Sequence, residues 1–141
     1  MLKKLKPFFI LFICCAISVS CSKSATSPKA HLRKNNLVSY LSVQDSIISF
    51  GKVHQAKKHI KCTFKLRNDG NNNISINKID VSCGCLKPSL SSIVIRPQKE
   101  EILTIDVDLT KQYGNINKSI IILSSAENAY KILRVKGTIF N

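Results

Sequence analysis

Cys83-Gly84-Cys85 is the segment of this chain best equipped for chemistry. Two thiols one residue apart project to the same side of an extended strand, with Cα atoms about 6.6 Å apart. The intervening glycine permits a sharper bend that brings the sulfurs closer. Three readings are open. In the first, the pair closes a tight disulfide, since Cα separations of about 4.4–6.8 Å can be bridged, and so small a ring is easily reduced. In the second, the two thiolates hold a soft metal such as Cu(I), which sulfur ligands suit. In the third, the motif is structural, with Cys83 paired to Cys62 or packed beneath a loop.

A spacing of one residue is not the spacing of two to four common in zinc sites, and no second Cys or His pair completes a tetrahedron. The histidines are His31, His54 and His59, and a ligand role for His54 or His59 rests on presence alone. Cys62 shares an apolar row with Ile60 and Phe64, the setting of a small buried hydrophobe. Asp106 and Asp108 lie on one outward face. Paired acids can do acid–base work, but a solvated strand face accounts for them. There is no Gly-rich phosphate loop, nucleophile elbow or Ser/His/Asp arrangement. The expectation is a protein that is not an enzyme and has no cofactor, with Cu(I) as the alternative.

Strands carry these residues. Ile60, Cys62, Phe64 and Leu66 alternate with Lys61, Thr63, Lys65 and Arg67, as a half-buried strand requires. Asn68-Asp69-Gly70-Asn71 follows as a tight turn, with Gly70 free to take positive φ. Ile74 and Ile76 open the next strand. Ile79 and Val81 sit on the opposite parity, which predicts a bulge near Asn77-Lys78 or a strand moving between sheets. Arg96-Pro97-Gln98-Lys99 reads as a turn with Pro second. Leu103, Ile105, Val107 and Leu109 alternate through a further strand. Tyr113-Gly114-Asn115 turns the chain. The apolar run from Ile116 to Leu123 reads as a central strand buried on both sides. Ala126-Glu127-Asn128 turns it again, and Leu133, Val135 and Ile139 form the last inward row, with Tyr130, Arg134 and Lys136 opposite. About seven short antiparallel strands with regular turn signals predict an all-β, Ig-like sandwich over residues 37–141.

The first 20 residues read as a signal peptide. Lys3, Lys4 and Lys6 form a basic start. The uncharged apolar run from Phe8 to Val19 is too short for a bilayer core, which needs roughly 20 residues. Ile17-Ser18-Val19-Ser20-Cys21 resembles the relaxed lipobox of Gram-negative lipoproteins. That resemblance implies cleavage before Cys21, diacylglycerol on its sulfur and an acyl chain on the new amino group, a durable membrane anchor. Residues 21–36 then read as the lipidated Cys and a polar, flexible tether.

The formal net charge is +14. The leader takes three lysines and no acid, which leaves 19 basic and 8 acidic residues, or +11. Such a charge favours polyanions. An exported chain rarely meets nucleic acid, and no aromatics interleave with the lysines as a stacking platform needs. Envelope polyanions are the better candidates, although solvated strand faces account for most of the charge.

Several landmarks fall in one order: Phe50-Gly51-Lys52-Val53, Phe64-Lys65-Leu66-Arg67-Asn68-Asp69-Gly70, Ile79-Asp80-Val81-Ser82-Cys83-Gly84-Cys85, the Pro97 turn, Gly114 with Lys118, and Val135-Lys136-Gly137. Their order resembles that of the domain of unknown function 1573 family, over about residues 49–140. The resemblance implies a small Ig-like domain on a lipoprotein of Gram-negative bacteria. It implies no agreed activity. Leu86 departs from the Thr common after the second Cys, and Gln98-Lys99 from the family's Gly-Glu after Pro. The expectation is a membrane-tethered, non-enzymatic module that binds or scaffolds an envelope protein or glycan. It would sit on the inner or outer membrane, in the periplasm or at the cell surface. The alternative is a periplasmic thiol-redox or copper-binding protein using Cys83 and Cys85.

Overall fold

The computed structural model describes residues 38–141. The signal peptide, Cys21 and the tether lie outside the described residues. Nine strands follow in order: β1 (Leu41–Val43), β2 (Ile47–His54), β3 (His59–Asn68), β4 (Ile74–Val81), β5 (Leu86–Leu90), β6 (Val94–Ile95), β7 (Glu100–Asp108), β8 (Gly114–Ser124) and β9 (Tyr130–Phe140). They form two sheets, of order β1-β3-β7-β5 and β2-β9-β8-β4-β6. The first matches the ABED sheet of an Ig sandwich, and β4, β8 and β9 match its CFG sheet. The all-β, Ig-like expectation holds.

Inward alternation builds the core. In the β3–β7 pair, Ile60 lies opposite Val107, Cys62 opposite Ile105 and Phe64 opposite Leu103, and all six are buried. From the other sheet come Ile74, Ile76, Ile120, Ile122, Leu133, Val135 and Ile139. Each fully buried Leu, Ile or Phe contributes about 1.5–3 kcal/mol relative to exposure. The slip in β4 is a register shift between Ile76 and Lys78, after which Ile79 and Val81 face Ile122 and Ile120. The predicted bulge is therefore present.

Four expectations need correction. There are nine strands rather than about seven, because β1 has three residues and β6 two, too few to display a period. One pair, β2–β9, is parallel. β8 is central, between β9 and β4, but it is buried on one face only, and Ile121 is exposed. Gly70 does not take positive φ; the glycines that do are Gly51 and Gly114. Gly70 is needed for a different reason. A Cβ there would fall 2.2 Å from the Val38 carbonyl oxygen and 2.6 Å from the Ser39 Cα, so the glycine lets the entering chain pack against the β3–β4 loop.

That loop is organised by Asn68, which is fully buried. Its Nδ2 donates to the carbonyls of Asn72 and Ile95, at 2.6 and 2.9 Å, and its Oδ1 accepts from the Gly70 amide at 2.9 Å. The Pro97 turn closes with the Lys99 amide donating to the Arg96 carbonyl. Gln98 sits at its third position with φ +60°, the position where a type II turn normally takes Gly. Its side-chain amide donates to the carbonyls of Asp69 and Gly70, at 3.1 and 3.0 Å. The two loops are thereby tied together.

Candidate functional site

β4 ends in one sheet and β5 begins in the other, so residues 82–85 bridge the layers at one end of the sandwich. The bridge is pinned on both sides. The Ser82 amide donates to the Ser119 carbonyl, and the Ser119 amide donates to Ser82 Oγ, each at 3.0 Å. The Asp108 amide donates to the Cys85 carbonyl at 2.8 Å, and the Leu86 amide to the Cys83 carbonyl at 3.2 Å. Within this bracket Cys83 and Cys85 form a disulfide, with Cα atoms 5.2 Å apart. Gly84 is at the exposed tip, outside the left-handed region, and a Cβ there would meet nothing within 4 Å. The bend that joins the sulfurs thus does not depend on glycine's conformational freedom.

Beside the disulfide lies an open cleft of about 470 Å³, lined by Cys83, Gly84, Cys85, Asp108, Thr110, Lys111 and Gln112. Its far wall is the β7–β8 loop. Gln55, in a 3₁₀ turn after β2, holds that wall by donating to the Thr110 and Gln112 carbonyls, at 3.2 and 3.1 Å. Asp108 Oδ1 accepts from the Thr110 hydroxyl and amide, at 2.5 and 2.9 Å. Those two bonds hold the Asp108 carboxyl below the usual carboxylate range, helped by the charges of His59 and Lys87. The cleft therefore offers one firmly ionised carboxylate, one ammonium from Lys111, and an accessible sulfur pair.

Cys62 remains a free, buried thiol on β3, so the pairing of Cys62 with Cys83 does not form. Burial pushes its thiol pKa up, which keeps it protonated and unreactive. Asp106 and Asp108 share the outward face of β7 as expected. His59 Nδ1 lies 3.1 Å from Asp106 Oδ1. His54 Nδ1 accepts from the Ala56 amide at 3.1 Å, and its ring meets Phe140 edge-on. Among the described residues, no three His, Cys, Asp or Glu side chains converge as metal ligands. Neither histidine joins the Cys83–Cys85 pair.

Thr110, Lys111 and Gln112 were not singled out from the sequence. The pattern Asp108-Leu109-Thr110 carries a readable signal, since an Asp two residues before Thr can cap its own turn. Lys111 and Gln112 carry none, because loop residues enter the cleft only through the fold.

The family model described as "Protein of unknown function (DUF1573)" matches residues 41–139. No curated protein matches the chain. Among solved structures, the chain is similar to a protein of unknown function from Porphyromonas gingivalis W83, with 16% identity, a TM-score of 0.64, and coverage of 72% of this chain and 47% of that one. It is similar to the VesB protease of Vibrio cholerae, with 14% identity, a TM-score of 0.53, and coverage of 72% and 32%. It is also similar to VesC, a secreted serine protease of Vibrio cholerae, with 12% identity, a TM-score of 0.51, and coverage of 73% and 23%. The chain thus spans less than half the length of each. At these identities the likeness is one of fold alone.

Proposed function

The chain belongs to the DUF1573 family, whose function is unknown, and from that premise we propose that it is an exported module held to a bacterial membrane by acyl chains on Cys21. There it binds or scaffolds a protein or glycan of the cell envelope and catalyses no reaction. The observation that carries this reading is the free side of β2. Among the described residues, this strand lies at a sheet edge and pairs with β9 alone. It runs for eight residues, Ile47–His54. The other edges are poorer. β5 contains Pro88, which lacks an amide donor, while β1 and β6 have three and two residues. An open edge can accept an added strand. The shift between Ser49 and Lys52, with Gly51 at φ +73°, interrupts β2. Such a bulge guards an edge against indiscriminate pairing, so a partner must fit it.

The test is a photo-crosslinking amino acid placed at Ser49 or Lys52 in the cell that exports the chain, with Ser89 on β5 as control. A discrete adduct from the β2 positions and none from Ser89 is the expected result. Nothing above background from either β2 position counts against the reading.

A second reading has one observation behind it, the disulfide beside an open cleft. In that reading the chain is a periplasmic thiol-redox protein, or a Cu(I) carrier once the pair is reduced. It predicts that Cys85→Ser abolishes thiol exchange or copper uptake while the domain stays folded. If Cys85→Ser unfolds the domain, the pair is structural.

A further inference from the structure

We propose that the outer face of the five-stranded sheet lies against an anionic lipid membrane, an inference that rests on the reading of Cys21 as a membrane anchor and adds an orientation to it. The strand register builds this face. Leu123 pairs with Tyr130 and Ile121 with Ile132 across β8 and β9, and Ile47 of β2 pairs with Arg134. Their neighbours Ile120, Ile122, Leu133 and Val135 are in the core, so alternation sends these side chains outward. Tyr130 is 69% exposed, Ile132 57%, Ile47 49% and Ile121 40%. Directly paired residues on one sheet face touch, so Leu123, Tyr130, Ile121 and Ile132 form one patch rather than scattered singles, with Ile47 beside Arg134 at its margin. A contiguous apolar patch marks an interaction surface.

Cations flank the patch. Arg134 and Lys136 follow along β9, Lys52 lies opposite Thr138, and Lys78 lies opposite Leu123. Asp80, opposite Ile121, is ion-paired with Lys78 at 2.9 Å. Among the described residues neither Arg134 nor Lys136 forms an ion pair, which leaves them for an external anion. Apolar side chains and an exposed Tyr beside Lys and Arg are the mixture that suits the boundary between lipid headgroups and acyl chains.

The described chain begins at the end of the sandwich where β8 turns into β9. The Glu127 amide, in the β8–β9 turn, donates to the Ser39 carbonyl at 3.0 Å. Asn128 binds both backbone groups of Leu41, at 2.9 and 2.7 Å. Lys131 Nζ stands 5.4 Å from the Tyr40 ring centre. Val38–Leu41 thus lie at the same end of the sandwich as the Leu123–Tyr130 row, packed on the β8–β9 turn and the β3–β4 loop. The 16 residues between Cys21 and Val38 can span no more than about 53–58 Å. A domain anchored at Cys21 is therefore confined to the neighbourhood of the bilayer. A second copy is a poorer occupant, because two faces carrying the same cations repel.

The chain has no Trp, so one substitution supplies a single emitter. Ile132→Trp places it in the patch, and Ile102→Trp places it on the outer face of the other sheet. Each full chain is expressed in a Gram-negative host and recovered as the host processes it. Its acyl mass is read first, and it is then mixed or reconstituted with phosphatidylethanolamine–phosphatidylglycerol vesicles brominated on the acyl chains. The Ile132→Trp emission should shift to the blue and lose most of its intensity, while that of Ile102→Trp should not. Adding Arg134→Glu and Lys136→Glu should restore emission. Equal quenching of both variants, or of neither, overturns the proposal. So does a blue shift that follows protein concentration without vesicles, which would mean a second copy. An acylated chain with no quenching of Ile132→Trp leaves the anchor standing and removes the orientation. An unacylated chain removes the anchor, and the same vesicle titration still decides whether this face binds lipid.

Discussion

Phe50 lies across Gly137, so closely that a Cβ built on the glycine would fall 2.2 Å from ring carbon Cε2. These residues belong to two of the sequence landmarks, far apart in the chain. They meet because β2 runs parallel to β9 along the sheet edge. Gly137→Ala must displace the ring or the strand. Overpacking of this kind costs about 1–3 kcal/mol, which urea denaturation should read as a lower midpoint at unchanged slope. Phe50→Ala combined with Gly137→Ala should cost less than the sum of the single changes, because the clash is then gone.

Asn68 makes the corresponding prediction for the opposite end. Asn68→Ala deletes three hydrogen bonds, two buried and one partly buried, that organise the β3–β4 loop. Stranding buried polar groups costs about 1–3 kcal/mol for each group left without compensation. The expected loss is at least about 2 kcal/mol by thermal or urea denaturation. A change within experimental error would mean that water replaces the carboxamide and that the loop does not depend on it.

How far these features were legible in the sequence depends on their range. The rows of β3, β7 and β9 could be read because period-two alternation is local and each strand buries one face. The slip at Asn77-Lys78 showed as a parity change. The Pro97 turn showed through proline, but its left-handed Gln98 did not, because what stabilises Gln98 is the Asp69–Gly70 backbone of another loop. β1 and β6 were too short to have a period. Ile121 misled because a continuous apolar run looks the same whether its second face meets core or solvent. At the candidate site, Cys83 and Cys85 were legible as a pair. The cleft beside them was not, since Lys111 and Gln112 arrive from a distant connection.

Asp108 carries the pH prediction. Its folded-state pKa is depressed by the Thr110 hydroxyl and amide. A depressed acid stabilises the fold above its unfolded value, about 3.9 for Asp. That contribution is lost as pH falls through the lower folded value. Carboxyl-carbon NMR should show Asp108 titrating below an ordinary Asp. Thr110→Val removes the hydroxyl bond, keeps the amide bond, and should move the titration back toward the ordinary value. A midpoint unmoved by Thr110→Val would mean that the hydroxyl bond is not formed.

The cysteines give a labelling pattern. Native protein treated with an alkylating reagent should show Cys62 unmodified, because its thiol is buried and protonated. After denaturation without reductant, Cys62 should react and Cys83 and Cys85 should not. Peptide mapping would read the outcome, and alkylation of Cys83 or Cys85 in unreduced protein would contradict the disulfide. A ring this short constrains the unfolded chain little, so Cys83→Ser with Cys85→Ser should cost only about 1–2 kcal/mol.

The proposed function needs the Ig-like domain to be held to a membrane by acyl chains on Cys21. The most direct measurement is the intact mass, with amino-terminal peptide mapping, of the protein recovered from the membranes of an exporting Gram-negative cell. The expected result is a chain beginning at Cys21, with diacylglycerol on its sulfur and an acyl chain on its amino group, and a Cys21→Ser variant that leaves the membrane fraction. A chain cleaved elsewhere, or an unmodified Cys21 on a protein free of the membrane, would contradict it.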